Sequence, residues 1–477
     1  MFISKWLTPF SAYSSVRSRD SFLLESVKGE KNIARYSFVG FEPFLVVKAK
    51  GDRMVVSSEK GDRILRGNPF HLLGGILKEA EAHPHFKGGF GYFGYELAWF
   101  IEDLPERKSN GLDLPDLYLI FPKNLIIFDH KLQSLNILSP NREDVAERLQ
   151  QSSAFNFQPS TFKDSYQVAF KMITRRLGGG DESVLDNTLK EPTTKPTKLA
   201  FEGDLVSNFT KEEYIKMAEK AKEYIKAGDI YQANLSQRLS AKIETDPLIL
   251  YQRLAVINPS PFSAYLELDG FSIVSSSPER LVRVKNGVIE TRPIAGTRPR
   301  GKIKIEDEKL ASELILSQKE RAEHIMLVDL ERNDLGRVCK YGTVKVDELM
   351  VIERYSHVMH IVSNISGELK PNVDFIDCIL ATFPGGTITG VPKVRCMKII
   401  DELEPTKRGP YTGSIGYIGF DGTMDLNIII RTFVIKDGIA YIQVGGGIVA
   451  DSEPELEYYE TLHKAEALIQ SLWSLPT

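Results

Sequence analysis

Cysteine is scarce in this 477-residue chain: Cys339, Cys378 and Cys396 are the three present, and none forms a CxxC pair. Three thiols cannot build a disulfide framework, so a disulfide-stapled secreted fold is excluded and a reduced, cytoplasmic setting is expected. An excess of charge of one sign is lacking too. Sixty Lys and Arg stand against 64 Asp and Glu, a formal net charge of −4, so no global basic field for nucleic acid exists. No apolar run approaches the ~18 residues that cross a bilayer. The start, Met1-Phe-Ile-Ser-Lys-Trp-Leu7, has no long apolar segment and no small-residue cleavage site, which argues against secretion. Neither nucleic acid nor a membrane is expected as a partner. Also missing are a repeat of 20–50 residues, a heptad array, a GxSxG or GxCxG nucleophile motif and an HExxH metal motif. What remains is an ordinary globular composition, 42% hydrophobic and 26% charged, enough for roughly two or three domains or one large one.

The first ~145 residues read as short strands and turns. Phe44-Leu-Val-Val-Lys and Arg53-Met-Val-Val flank Gly51-Asp52, a hairpin signal. Lys87 to Tyr95, KGGFGYFGY, interleaves glycine with aromatics and suits a sheet with close backbone approaches. The Gly-, Pro- and Thr-rich stretch from Gly178 to Lys198 reads as a linker. The expected organisation is an N-terminal domain over residues 1–145, a linker region over 146–204 and a catalytic domain over 205–477. Thr210-Lys-Glu-Glu213 is a capping-box pattern, with Gly228 placed to end the helix. Further helices are expected at about Glu306–Leu330 and Glu453–Trp473, the latter capped by Asp451 or Ser452 with Pro454 in its first turn. Hairpin-like strands with separated helices favour the α+β class.

A doubled acidic motif carries the chemistry. Glu320 and Glu323 lie three apart, and so do Glu457 and Glu460. On helices, each pair shares one face. Should the faces meet, the cluster of oxygens calls for a hard cation such as Mg²⁺. The first pair runs into His324-Ile-Met-Leu-Val, which suggests a buried helix. The second follows Val444-Gly-Gly-Gly-Ile, read as glycines after a strand exposing N–H groups to an anion. Arg431, read as ending an apolar strand, and Lys464 supply positive charge for a carboxylate. Gly385-Gly-Thr-Ile-Thr-Gly390-Val-Pro-Lys393 looks like a phosphate loop, but Val-Pro intervenes and no Lys-Ser/Thr follows, so a tight turn before a helix is expected. His357 and His360 lie three apart without further zinc ligands.

Long motifs then accumulate in order: Gly228-Asp-Ile-Tyr-Gln-Ala-Asn-Leu-Ser-Gln-Arg238, Ser276-Ser-Pro-Glu-Arg280, Arg292-Pro-Ile-Ala-Gly-Thr-Arg-Pro-Arg300, Asp329-Leu-Glu-Arg-Asn-Asp-Leu-Gly336 and Phe383-Pro-Gly-Gly-Thr-Ile-Thr-Gly390. With them the chain resembles the chorismate-utilising enzymes, the family of component I of anthranilate synthase and of aminodeoxychorismate synthase. The resemblance implies a large orthogonal β-sandwich flanked by helices, its two halves interleaved. It implies chorismate as substrate and Mg²⁺ held by Glu320, Glu323, Glu457 and Glu460. It makes Glu279 the general acid for the departing 4-hydroxyl, with its pKa raised by burial or neighbouring carboxylates. Tyr411, Arg431, the Gly445, Gly446 and Gly447 backbone and Lys464 would hold carboxylate, while Thr297 and His360 orient the ring and help pyruvate to leave. Gln232 stands where water-using relatives carry a lysine base. An amide does not titrate usefully, so ammonia becomes the reagent, supplied by a separate glutamine amidotransferase subunit.

The product is read from smaller signals. Ser21–Ser26 and Arg35–Gly40 resemble a tryptophan-binding segment, so Glu25, Ser26, Pro261 and Phe262 are expected to line such a pocket. Phe262-Ser263, however, departs from the Pro-Tyr-Met usual in anthranilate synthases. Ala295 stands where one aminodeoxychorismate subgroup has a reactive lysine. Gln-Ala-Asn-Leu-Ser, Pro-Phe-Ser-Ala-Tyr265 and Val444-Gly-Gly-Gly resemble aminodeoxychorismate synthases. These residues lean toward 4-amino-4-deoxychorismate for folate synthesis. The alternative is anthranilate and pyruvate for tryptophan synthesis. A non-catalytic ligand-binding homologue is the reading from another class.

Overall fold

The computed structural model describes residues 7–27, 35–81, 87–105, 111–152, 205–301, 303–355 and 358–473. His357 and residues 153–204 of the expected linker lie outside the described residues.

The hairpin signal at Gly51-Asp52 is realised by the strands Tyr36–Lys50 and Arg53–Ser58, with Gly51 at φ +58°. The glycine–aromatic stretch forms the buried strand Gly88–Phe93, lying between Leu117–Asp129 and Ser414–Gly419. Glycine is required there: a Cβ on Gly91, at φ +155°, would fall 2.0 Å from the Tyr118 carbonyl oxygen. Twenty-one strands among the described residues join into one antiparallel network. Early and late segments alternate in it. Ser21–Glu25 pairs with Phe262–Leu268, and Gly88–Phe93 with Ser414–Gly419. The apolar clusters mix both halves as well. One unites Val47, Phe121, Leu281 and Ile418; another unites Tyr13, Phe128, Tyr265 and Leu468.

Helices lie outside this sheet, as the α+β reading expects. Thr210 and Glu213 form a reciprocal capping box on Lys211–Lys226, and Gly228, at φ +82°, follows the helix end. The C-terminal helix runs Pro454–Trp473 and buries Leu462, Ala465, Leu468 and Ile469, one face at helical spacing. The glycine–threonine segment is a 3₁₀ turn, Gly386–Ile388, before the helix Lys393–Leu403 with Pro392 at its N-cap.

Four local expectations are corrected. The helix expected at 306–330 is two helices, Lys304–Leu316 and Gln318–Val338. Ser317 breaks them with ψ 115° and turns its hydroxyl to accept from the Glu320 N–H, the use of serine at an N-cap. The Gln318–Val338 helix is buried on one face only, through His324, Leu327, Val328, Glu331 and Leu335, while Ile325 is exposed. The three glycines do not follow a strand; they lie inside Ile439–Ile448. Arg431 does not end a strand either. It sits in the connection between Met424–Asn427 and Thr432–Lys436, at φ +54°.

Candidate active site

Two acidic helix faces converge. Lys319, on the first helix, acts electrostatically on both Glu457 and Glu460, and Lys464, on the second, acts on Glu323. Burial raises Glu323, with Gln232 opposing and Glu320 adding to the rise. Burial also raises Glu457, with Ser452 opposing and Glu460 adding to the rise. For Glu460 burial again acts upward, but Lys464, 2.7 Å away, together with Lys319 and Arg431, brings its carboxyl below the ordinary value. Glu320 accepts from Arg298 Nη1 at 3.3 Å.

The glycine segment is the floor of this region. Gly445, Gly446 and Gly447 pair with Ser236, Leu235 and Asn234 of the strand Gln232–Lys242. Pairing on the other side ends at Ile442, so the glycines flank an open strand edge. Lys464 Nζ donates there to the Gly445 carbonyl at 3.1 Å. The need for glycine is steric. A Cβ on Gly447 would lie 2.2 Å from Gln232 Nε2, and one on Gly445 2.9 Å from both the Tyr411 hydroxyl and Asn234 Oδ1. A Cβ on Gly446 would lie 3.5–3.7 Å from Glu457 Oε2, Glu460 Oε1 and Lys464 Nζ.

Arg431 is surrounded by Tyr411, Glu460 and Glu279, and burial lowers its pKa. Its guanidinium makes no hydrogen bond or ion pair with any described residue. The half-buried guanidinium is thus held near two carboxylates without bonding to either, and its left-handed backbone adds strain that the surrounding structure must sustain. Glu279 is 6% exposed, and its Oε1 has no hydrogen-bond partner. Burial pushes its carboxyl up to about 7, against the opposing influence of Thr387, the Ile294 backbone, Arg431 and Lys464. That is the range in which a carboxylic acid can donate a proton near neutrality.

His360 and Thr297 face each other on paired strands. His360 Nδ1 lies 3.0 Å from Thr297 Oγ1 and 3.2 Å from the Gly296 carbonyl. A carbonyl only accepts, so the proton sits on Nδ1 and the lone pair on Nε2. Burial pushes the imidazole down to about 4, so it is neutral at physiological pH.

Mg²⁺ fits the donor set. Half-buried Glu323 and buried Glu457, both raised by desolvation, belong to the same pairs as Glu320 and Glu460, and all four offer hard oxygen ligands. Among the described residues, no three side chains of carboxylate, imidazole or thiol type stand close enough to enclose a metal unaided. A bound ion must draw the two faces together or take oxygens from substrate and water. The three cysteines are all buried, with burial pushing the Cys339 thiol up to about 11 and Cys378 and Cys396 to about 12. None of them is a thiolate nucleophile.

Glu25, Ser26, Pro261 and Phe262 do come together, away from the acidic faces, in a cavity of about 80 Å³ shared with Tyr36 and Tyr417. Tyr251 donates to Glu25 Oε2 at 2.7 Å, and burial pushes that carboxyl up to about 7. Sequence reasoning missed Asn234, Thr387 and Lys319. Asn234 and Thr387 lie inside the motifs quoted above, but the approach of one motif to the other, Asn234 Nδ2 to the Thr387 carbonyl at 3.3 Å, is a tertiary fact.

The comparisons decide the family. A family model described as chorismate binding enzyme matches residues 19–470. The chain belongs to the chorismate binding enzymes. It is 44% identical over 474 residues to anthranilate synthase component 1 of Acetivibrio thermocellus, covering 98% of this chain and 92% of that one. It is 41% identical over 469 residues to aminodeoxychorismate synthase component 1 of Bacillus subtilis (strain 168), covering 94% and 91%. The crystal structure of anthranilate synthase component I from Streptococcus pneumoniae TIGR4 superposes with a TM-score of 0.73 at 30% identity, over 98% and 99% of the two chains. The α+β fold of this chorismate-utilising enzyme is therefore that of anthranilate synthase component I. No helix among the described residues is long and apolar enough to cross a membrane.

Proposed function

We propose that the protein aminates chorismate with ammonia to give anthranilate and pyruvate, acting as component I beside a glutamine amidotransferase subunit. The observation that carries the substrate reading is Arg431, half-buried near Glu279, Tyr411 and Glu460 and bonded to none of the described side chains. A dicarboxylate fits a cation on one side and a metal-binding acidic cluster on the other. The product reading rests on Ala295 and on the relatives. Ala295 offers no nucleophile at the position where a lysine attacks C2 in one aminodeoxychorismate subgroup. Direct attack of ammonia on C2 needs none.

Arg431, the Tyr411 hydroxyl and the glycine edge hold the pyruvyl carboxylate, with Lys464 adding positive charge. Glu279, protonated near neutrality, gives its proton to the departing 4-hydroxyl. Neutral His360, its Nδ1–H committed to the Gly296 carbonyl, presents Nε2 as the base for the elimination that releases pyruvate, and Thr297 orients it. Mg²⁺ bound by Glu320, Glu323, Glu457 and Glu460 would neutralise the ring carboxylate.

The second reading, 4-amino-4-deoxychorismate, is the one toward which the motifs lean. Phe262-Ser263 and Gln-Ala-Asn-Leu-Ser support it, but it leaves the C2 nucleophile unnamed. Incubation with chorismate, Mg²⁺ and an ammonium salt separates the readings. Fluorescent anthranilate appearing directly supports the first. A product that yields 4-aminobenzoate only after a lyase is added supports the second. Ligand binding without chorismate loss would return the chain to the binding-only class.

A further inference from the structure

The motif Asp329–Gly336 buries two carboxyls that the reaction above leaves unused. Glu331 is 3% exposed and Asp334 4%, and they lie one helical turn apart on Gln318–Val338. The Thr291 hydroxyl stands 2.9 Å from the Leu281 carbonyl and 3.1 Å from Glu331 Oε2, with one proton for the two acceptors. A protonated Glu331 removes the conflict: the hydroxyl donates to Leu281 and accepts from the carboxylic acid. The surroundings favour that state. Burial holds the Glu331 carboxyl well above its ordinary value, with Asp334 and Glu279 adding to the rise and Lys393 and Thr291 opposing it. Lys393 is ion-paired with Asp334, so its charge is already matched.

Glu331 stands between two places that matter for acid catalysis. On one side, a Cβ on Gly386 would lie 3.3 Å from Glu331 Oε1, and the next residue, Thr387, acts on the Glu279 carboxyl. Glu279 Oε1 and Thr387 Oγ1 are buried without a partner, a pair suited to hold a relaying water. On the other side, Arg337 and Glu102 act on Asp334 and line a cavity of about 400 Å³ with Asn68 and His71. Buried carboxyls thus lead from that cavity toward the general acid. The chemistry calls for such a supply. Once Glu279 has protonated the departing hydroxyl it is a carboxylate, enclosed by ligand on one side and protein on the other. We propose that Glu331 recharges Glu279 from the protein side, an inference that rests on Glu279 being the acid of the amination reading. The Glu331 O–H bond breaks as Glu279 gains its proton, and Glu331 takes a replacement from water of the cavity beside Asp334. No other bond changes in this step.

The test is rapid-mixing kinetics of Glu331→Gln and, separately, Glu331→Leu, each removing the transferable proton, with the folded state checked by thermal melting. Enzyme is equilibrated below about pH 7, where Glu279 holds its proton, then mixed with excess chorismate, Mg²⁺ and ammonium. Wild type that consumes no chorismate ends the amination reading and the relay with it. Wild type that turns over leaves the relay to the variants. The expected result is a first turnover within about two-fold of wild type, followed by a steady rate lowered about ten-fold or more. The variants then show a burst of one chorismate consumed per enzyme molecule. A merely structural glutamate would slow the first turnover and the steady rate together. That outcome overturns the proposal, and so does a steady rate within about two-fold of wild type, which would mean that solvent recharges Glu279 from the substrate side. Glu331→Leu reports even if Glu331→Gln misfolds, because an apolar side chain leaves no buried amide to satisfy.

Discussion

Lys464 Nζ stands 2.7 Å from the Glu460 carboxylate, one helical turn away, while also donating to the Gly445 carbonyl at 3.1 Å. The lysine thus joins the acidic helix to the open glycine edge. Replacing it by methionine removes a charge that favours an anionic substrate and opposes a cation. We predict for Lys464→Met a chorismate KM raised about ten-fold or more, with Mg²⁺ binding unchanged or tighter. A Mg²⁺ midpoint that rises as much as the chorismate KM contradicts this placement.

Glu279 links catalysis to pH with a definite sign. Its protonated form is the useful one, and burial places the carboxyl at about 7. Turnover is expected to fall as pH rises through that value, and Glu279→Gln to lose about 10²–10⁴-fold. Stability runs the same way. Between the ordinary carboxyl value and about 7 the native state holds a proton that the unfolded state releases, so stability declines as pH rises across that window. The glutamine variant lacks this decline. Its melting temperature relative to wild type should climb between about pH 5 and 7 and then level off. A constant difference across that range would mean that the acid is not raised.

Much of this site is legible in one dimension. Glu320/Glu323 and Glu457/Glu460 announce their shared faces by spacing, and Thr210/Glu213 their cap, because helical periodicity is a local property. Ser317 gives no such signal, since serine is tolerated within a helix and only the backbone turn reveals the cap. The glycines 445–447 read as following a strand because their reason, the approach of Gln232, Asn234 and Tyr411, comes from distant segments. Arg431 reads as a strand end because residues 428–430 are apolar. They are indeed mostly buried, but as an irregular connection whose backbone bonds go to Glu279 and Gly413.

His360 separates the two product readings. Its imidazole is neutral down to about pH 4, so no acid limb from this residue is expected between about pH 5 and 8. If anthranilate is the product, His360→Phe should cut its formation about 10²-fold or more and let an aminated intermediate that retains the enolpyruvyl group accumulate. Mass spectrometry of the reaction mixture reads this directly. Unchanged anthranilate release would remove His360 from the elimination step.

The buried pair Arg408–Glu404 supports the site from beneath. Arg408 is 3% exposed, and every nitrogen of its guanidinium is engaged. Nε and Nη2 go to Glu404, Nη2 also to the Asn234 carbonyl, and Nη1 to the Ile388 carbonyl and Thr412 Oγ1. The guanidinium also lies 4.9 Å from the Tyr95 ring centre and 5.6 Å from that of Tyr411. Glu404→Gln keeps the shape but strands the cation, which should cost about 3–5 kcal/mol in urea unfolding. Replacing both residues by apolar ones removes the stranded charge, so Glu404→Leu with Arg408→Met should lose less than Glu404→Gln alone. If the double variant is the less stable of the two, the pair contributes net stability. The strand bearing Asn234 would then depend on it directly, and substrate affinity should fall in parallel.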